Sequence, residues 1–207
     1  MGYTTDFTGR FELDHELTDE LYKYLKTFAT VRHMKRNNEK IKELFPDWQK
    51  HCLCMGLGLD GEYFVRDDGD FGQSYDDSIV DYNNPSESQP GLWCDWTVTD
   101  DKKFIEWNGA EKFYDYIEWL YYIIGNFLEP NRYLLNGKVK WQGESFNDYG
   151  TIIVTNNEIT INVNPNTTAC NKILTYNKCP NCGSSMEFDA DSHMFICEYC
   201  GTKAVII

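Results

Sequence analysis

Cys179, Cys182, Cys197 and Cys200 constrain this chain more than any other feature. They form two C-x2-C pairs with fourteen residues between them. A divalent zinc ion takes four soft ligands at the corners of a tetrahedron, and two such turns on facing hairpins supply them. Gly183 and Gly201 each follow a pair. A residue without Cβ lets the backbone turn there and aim its N–H groups at the thiolate sulfurs. Residues 186–188 and 194–196 read as strands around the polar turn 189–192. A tetrahedral metal site built on a hairpin is the direct reading.

This pattern resembles a zinc ribbon and implies Zn²⁺ as cofactor. Ribbons serve as folding staples, nucleic-acid contacts and protein-docking modules alike, so the motif leaves function open. The other four cysteines, Cys52, Cys54, Cys94 and Cys170, read as buried small hydrophobes. The N-terminal residues lack the charged and apolar regions of a signal peptide, and no stretch approaches the roughly 18 apolar residues that span a bilayer. The expected setting is the cytoplasm with no membrane contact, where cysteines hold metal or stay free.

The 207 residues carry a net charge of −14, unevenly spread. Residues 1–50 hold nine acids and nine bases, whereas residues 51–130 hold seventeen acids and four bases. Residues 131–178 are the only net basic stretch, with three acids and five bases, and residues 179–207 hold four acids and one base. Affinity for nucleic-acid phosphates comes from counterions released at Lys and Arg, so direct binding is disfavoured for so acidic a middle. A basic protein surface, such as that of a nucleic-acid-handling host protein, matches it better.

Alternation of apolar residues predicts a strand over 7–13. Thr18 then caps a helix with Leu21, Tyr24, Leu25 and Phe28 on one stripe and Arg32, Lys35 and Arg36 at its basic end. A second helix is expected over 38–44 and a strand over 62–65. Acid, glycine and proline make 67–90 a long irregular loop. Residues 92–98 and 103–107 read as a hairpin. Asn108 and Glu111 resemble a capping box that opens the strongest helix pattern, whose stripe runs from Phe113 to Leu128 before Pro130. Residues 138–142, 151–155 and 158–163 read as a meander, with Asn156-Asn157 suited to a tight turn. The expected fold class is α+β: an antiparallel sheet with two main helices on one face, plus a C-terminal zinc-ribbon hairpin domain. The expected domains are an acidic body at 1–163, a linker at 164–178 and the ribbon at 179–207.

Three runs carry a further resemblance: GYTTDFTGRFELDHELTDELYKYLKTFATVRHMKR, QPGLWCDWTVTDDKKFIEWNGAEKFYDYIEWLYYIIGNFL and LNGKVKWQGESFNDYGTIIVTNNEI. Together they cover about half of the chain and resemble an uncharacterised family of acidic α+β proteins from bacteria and phages. That resemblance implies no activity and no residue roles, only a phage or mobile-element setting.

Other motifs have bland readings. Gly56-Leu57-Gly58-Leu59-Asp60-Gly61 has the glycine spacing of a dinucleotide loop, but extended residues are expected after it where a helix is required. Asp68 and Asp70 match the first two positions of a calcium loop, and Gly72-Gln73 breaks the pattern. Metal-protease, serine-hydrolase and phosphate-loop motifs are missing. His51 beside Cys52 and Cys54 reads as ordinary packing. The tyrosines at 114, 116, 121 and 122 cover more than one face of the long helix, as a partly covered helix would require.

These residues point first to a non-enzymatic acidic protein-binding module. Its binding surface would be Asp67, Asp68, Asp70, Asp76, Asp77 and Asp81, with Asp95, Asp100 and Asp101 nearby, docked on a basic groove. A phage or mobile-element anti-defence inhibitor, anti-CRISPR-like, is one concrete form. The alternative is a zinc-ribbon nucleic-acid-binding or regulatory protein, although Lys203 is the ribbon's only base. A metal-dependent hydrolase using clustered acids is a third reading.

Overall fold

A computed structural model describes residues 2–163 and, in backbone outline, three short strands within 187–204. The chain divides into two compact units, Met1–Thr167 and Thr168–Ile207.

In the first unit, β1 (Thr5–Leu13) leads into α1 (Asp19–Phe28). The Thr18 side chain accepts from the Leu21 N–H, and Asp19 and Glu20 occupy the first turn, as a helix N-terminus favours. The helix stops at Phe28, earlier than the basic residues suggested. Lys35–Arg36 instead form β2, which pairs with β3 (Ile79–Asp81) across the base of the acidic loop. Between them lies α2 (Asn38–Leu44), capped by the Asn37 side chain. Residues 62–65 are not a strand. A 3₁₀ turn at Leu59–Gly61 precedes them, and Phe64 packs in a satellite core with Ile41, Cys52 and Leu57.

The hairpin is shorter than expected, with β4 (Trp96–Val98) and β5 (Phe104–Trp107). The capping box does not form: Asn108 Oδ1 accepts from Ala110 N, and its amide donates to Asp95 and Ala29. The helix α3 starts later, at Tyr116–Ile123, and continues as a π-helical turn to Leu128. Three strands follow: β6 (Leu135–Gly143), β7 (Tyr149–Thr155) and β8 (Glu158–Val163). Asn156 and Asn157 both have positive φ, 48° and 73°, as a two-residue hairpin turn needs.

The six strands of the main sheet pair antiparallel in the order β4-β5-β1-β6-β7-β8. The fold is therefore α+β. The N-terminal strand lies in the middle, paired with β6 from Thr5↔Gly143 to Leu13↔Leu135. Side chains alternate across a strand, so one set of positions turns inward. Phe7, Phe11, Val139, Trp141, Ile152 and Val154 are buried from that set. They share one core with Leu25 and Phe28 of α1 and Leu120 and Ile123 of α3. Trp96 and Trp119 are buried within it, and Phe7 meets Trp96 and Phe113 edge-on at 5.4 and 5.8 Å. Edge-on packing suits the ring quadrupoles.

Gly9 and Gly137 sit at one close approach of β1 and β6. Both have positive φ, 112° and 138°, and a Cβ on Gly9 would lie 2.5 Å from the Lys138 carbonyl oxygen. Only glycine allows the two backbones to run this near in that conformation.

In the second unit, β9 (Glu187–Asp189), β10 (Met194–Ile196) and β11 (Lys203–Ala204) form a three-stranded antiparallel sheet in the order β11-β10-β9. Met194 pairs with Asp189 and Ile196 with Lys203. The expected linker at 164–178 lies outside the described residues.

Candidate functional site

The metal centre rests on chain order and hairpin register. Antiparallel β9 and β10 lie between the two cysteine pairs in sequence, so the hairpin expected there is present. Cys179, Cys182, Cys197 and Cys200 themselves, with His193 and Cys170, lie outside the described residues. A donor set of four thiolates in two turns flanking such a hairpin fits tetrahedral Zn²⁺. The third strand, β11, follows Cys200 and was not anticipated. Its length of two residues gives no periodicity to read.

The acidic stretch is organised by its own backbone. Asp67 accepts from Gly69 N at 2.9 Å, Asp76 from Ser78 N at 2.8 Å, and Asp81 from Asn83 N at 2.8 Å. These are Asx turns, in which a short carboxylate satisfies the amide two residues on. Asp67, Asp68, Asp70 and Asp77 are exposed, and Asp76 and Asp81 are half-buried. Asp76 binds Arg36 Nη1 at 2.8 Å, and the same nitrogen donates to Ser78 Oγ at 2.6 Å. Burial works to raise the Asp76 carboxyl, but hydrogen bonds from Ser78 and Arg36 and the Arg36 charge outweigh it and hold it below its ordinary range. Asp81 is lowered chiefly by the Asn84 side chain. Phe71 and Tyr75 project from the same loop, 62% and 76% exposed.

Asp95 is corrected by the structure. It is 5% exposed, receives the Asn108 amide at 3.1 Å, and burial raises its carboxyl. It belongs to the interior and not to the acidic surface. Asp100 is exposed and paired with Lys26, and Asp101 caps the β4–β5 turn through Thr99 and Lys103. Among the described residues, no three His, Cys, Asp or Glu side chains gather for a metal ion.

The remaining sequence candidates find ordinary places. The glycine motif runs into a 3₁₀ turn with no helix at its end, so the setting for a pyrophosphate is missing. Cys52 and Cys94 are buried as expected, and burial pushes the Cys52 thiol up to about 12. Cys54 is exposed, contrary to expectation, because it falls in the surface 3₁₀ turn Leu53–Met55. His51 meets the Phe64 ring edge-on at 5.6 Å. Tyr121 is 38% exposed on α3, while Tyr122 is buried and donates to Glu62 Oε1 at 2.7 Å.

Sequence reasoning missed the outward face of the sheet. The exposed residues of β1 and β6 include Arg10, Lys138 and Lys140. The signal was present in the net basic stretch 131–178, but β1 could not be assigned as the neighbour of β6 from local pattern.

Among known proteins, the family described as TFIIB zinc-binding matches residues 177–204, a span that holds all four cysteines. This similarity supports a C-terminal zinc ribbon in the chain. No curated protein and no solved structure matches it. The acidic body therefore stands on its own residues, and no described helix is long and apolar enough to cross a membrane.

Proposed function

We propose that this chain is a non-enzymatic regulatory protein of nucleic-acid-handling machinery, with the zinc ribbon as its recognition module and the acidic α+β body as the scaffold that carries it. The observation that carries this reading is the similarity of residues 177–204 to a TFIIB zinc-binding ribbon, with a hairpin between the cysteine pairs. Cys179, Cys182, Cys197 and Cys200 hold one Zn²⁺, and the metal folds the ribbon, since small metal domains are stable only when loaded. With Lys203 as its only base, the ribbon itself is poorly suited to phosphate, so it recognises protein.

The body adds a second contact. Exposed Asp67, Asp68, Asp70 and Asp77 beside exposed Phe71 and Tyr75 give the loop both charge and aromatic area. Aromatics are enriched in protein interfaces, and opposed charges speed encounter and reject acidic competitors. A basic groove on a nucleic-acid-handling protein is the matching partner. Inhibition of such a protein, as a phage anti-defence factor would achieve, is the second reading, and this loop favours it.

The experiment is quantitative co-purification from host lysate with wild type, Cys179→Ser and a variant with Asp67, Asp68, Asp70 and Asp77 changed to Asn. A nucleic-acid-handling protein retained by wild type and lost with Cys179→Ser is the expected result. Equal retention by wild type and Cys179→Ser would remove the ribbon from the function. Loss confined to the Asp variant would favour the inhibitor reading.

A further inference from the structure

We propose that the outward face of the six-stranded sheet, centred on Arg10, Lys138 and Lys140, binds the backbone of single-stranded nucleic acid. The inference goes beyond the ribbon reading and does not depend on it.

Cross-strand register places these residues together. Thr8, Lys140, Thr151 and Asn162 form one row across β1, β6, β7 and β8. Arg10, Lys138, Ile153 and Thr160 form the next. The two rows hold three cations and no carboxylate. Asp6 and Glu12 stand in the rows outside them, Glu158 opposite Thr155, and Glu106 on β5.

Two observations mark the cations as unusual. Arg10 lies directly opposite Lys138, with Lys140 two residues along on the same face. Like charges directly opposite destabilise an antiparallel pair, so the fold carries a cost here that a bound anion would relieve. The second observation is pairing. Lys26, Lys35, Lys40, Lys102 and Lys103 each meet a carboxylate, whereas Lys138 and Lys140, like Lys23 on α1, form no salt bridge among the described residues. Arg10 forms no salt bridge among the described residues, although its charge helps to lower the Asp101 carboxyl. Arg10 is held in place by stacking, its guanidinium 3.6 Å from the centre of the Phe104 ring.

The surroundings fit a single strand better than a duplex or a compact anion. An open concavity of about 620 Å³ lies over the Lys140 row, lined by Asp6, Thr8, Gln142, Tyr149, Thr151 and Asn162. Hydroxyl and amide groups there can bond sugar and phosphate oxygens. Tyr149 is 45% exposed at the end of the face, and Phe146, in the loop joining β6 to β7, is 90% exposed. Exposed rings beside a basic track are what unpaired bases stack on. Lys138 and Lys140, two residues apart on a strand, are separated by about 6.7 Å, close to the phosphate repeat of an extended single strand.

The test is fluorescence anisotropy with the zinc-loaded full chain and a labelled oligothymidylate, read against salt. Neutralising three phosphates of a single strand gives a log–log salt slope of about −2, or about 18-fold weaker binding between 50 and 200 mM salt. Changing Lys138 and Lys140 together to Gln should cut the slope to about −0.7, or about 2.6-fold over the same range, and weaken binding at low salt at least tenfold. The thermal midpoint should stay level or rise, because the like-charge pair is removed. Tyr149→Ala should weaken binding without changing the slope. Cys179→Ser should leave binding intact. Oligonucleotide binding that is undetectable, or unchanged in the double variant, would overturn the proposal. Binding lost only with Cys179→Ser would place the nucleic-acid contact on the ribbon. Equal binding of duplex, or full competition by a mononucleotide, would overturn the assignment to a single strand.

Discussion

Replacing Asp76 by Asn separates the structural acids of the loop from the free ones. The Arg36 side chain is 9% exposed and Asp76 is 23% exposed, and their contact of 2.8 Å ties the loop to the β2–β3 pair. The substitution keeps shape but removes the charge, leaving a buried guanidinium with Ser78 as its remaining hydrogen-bond partner. Breaking a fully buried pair from one side costs about 3–5 kcal/mol, and the partial exposure of Asp76 reduces this to about 2–3 kcal/mol. For a chain of this size that is a fall of about 4–12 °C in thermal midpoint. The pH dependence follows from the lowered Asp76 carboxyl, whose ordinary value is 3.8. A depressed pKa stabilises the folded state above the unfolded value and loses that stabilisation as pH falls through the folded one. The gap between wild type and Asp76→Asn should therefore be fully open at pH 7 and begin to narrow as pH falls below about 4. Thermal melts followed by circular dichroism at pH 7 and pH 3.5 measure it. Adding Arg36→Met should recover part of the loss, because it removes the orphaned charge. Midpoints equal within about a degree at pH 7 would refute the ion pair as a tether of the loop.

His33 is buried, with Nε2 3.0 Å from the Phe28 carbonyl and Nδ1 facing the Gln89 amide, and burial lowers its pKa from 6.5 to about 4. The unfolded chain binds the proton first, so stability should be full above about pH 6.5 and fall by about 3 kcal/mol on going to pH 4, a slope that His33→Gln should flatten in denaturant titrations. Gly137→Ala should cost about 2 kcal/mol or more, since its φ of 138° brings a Cβ within 2.8 Å of the Arg10 carbonyl. A chemical-denaturation midpoint matching wild type would mean the strands can separate there without loss. Tyr122→Phe removes the 2.7 Å hydrogen bond from Tyr122 to buried Glu62 and should cost about 1–3 kcal/mol, read from the same titrations; an unchanged midpoint would mean the carboxyl is satisfied by Tyr63.

Local chemistry made several elements legible before the fold was known. Thr18 followed by Asp19 and Glu20 marks a helix start because cap and dipole act within one turn. Asn156-Asn157 marks a hairpin because both residues tolerate positive φ. The C-x2-C pairs and the short strands between them read directly as a hairpin site. The failures came from tertiary competition. Asn108 has the right type and spacing for a cap, but its side chain is spent on Ala110, Asp95 and Ala29. Residues 62–65 look extended in isolation, yet Phe64 is drawn into the satellite core beside Ile41. Asp95 is one acid among many in sequence and is buried in the structure. The basic face was hidden because net charge averages over the whole chain, while the face depends on β1 pairing with a strand more than a hundred residues away.

Zinc stoichiometry and ligand identity in the purified full chain test the ribbon most directly, by elemental analysis together with X-ray absorption at the zinc edge. One zinc per chain, surrounded by four sulfurs at about 2.3 Å and lost with Cys179→Ser, is the required result. Substoichiometric zinc, or a shell of nitrogen and oxygen ligands that survives Cys179→Ser, would contradict the ribbon and remove the basis for the regulatory function.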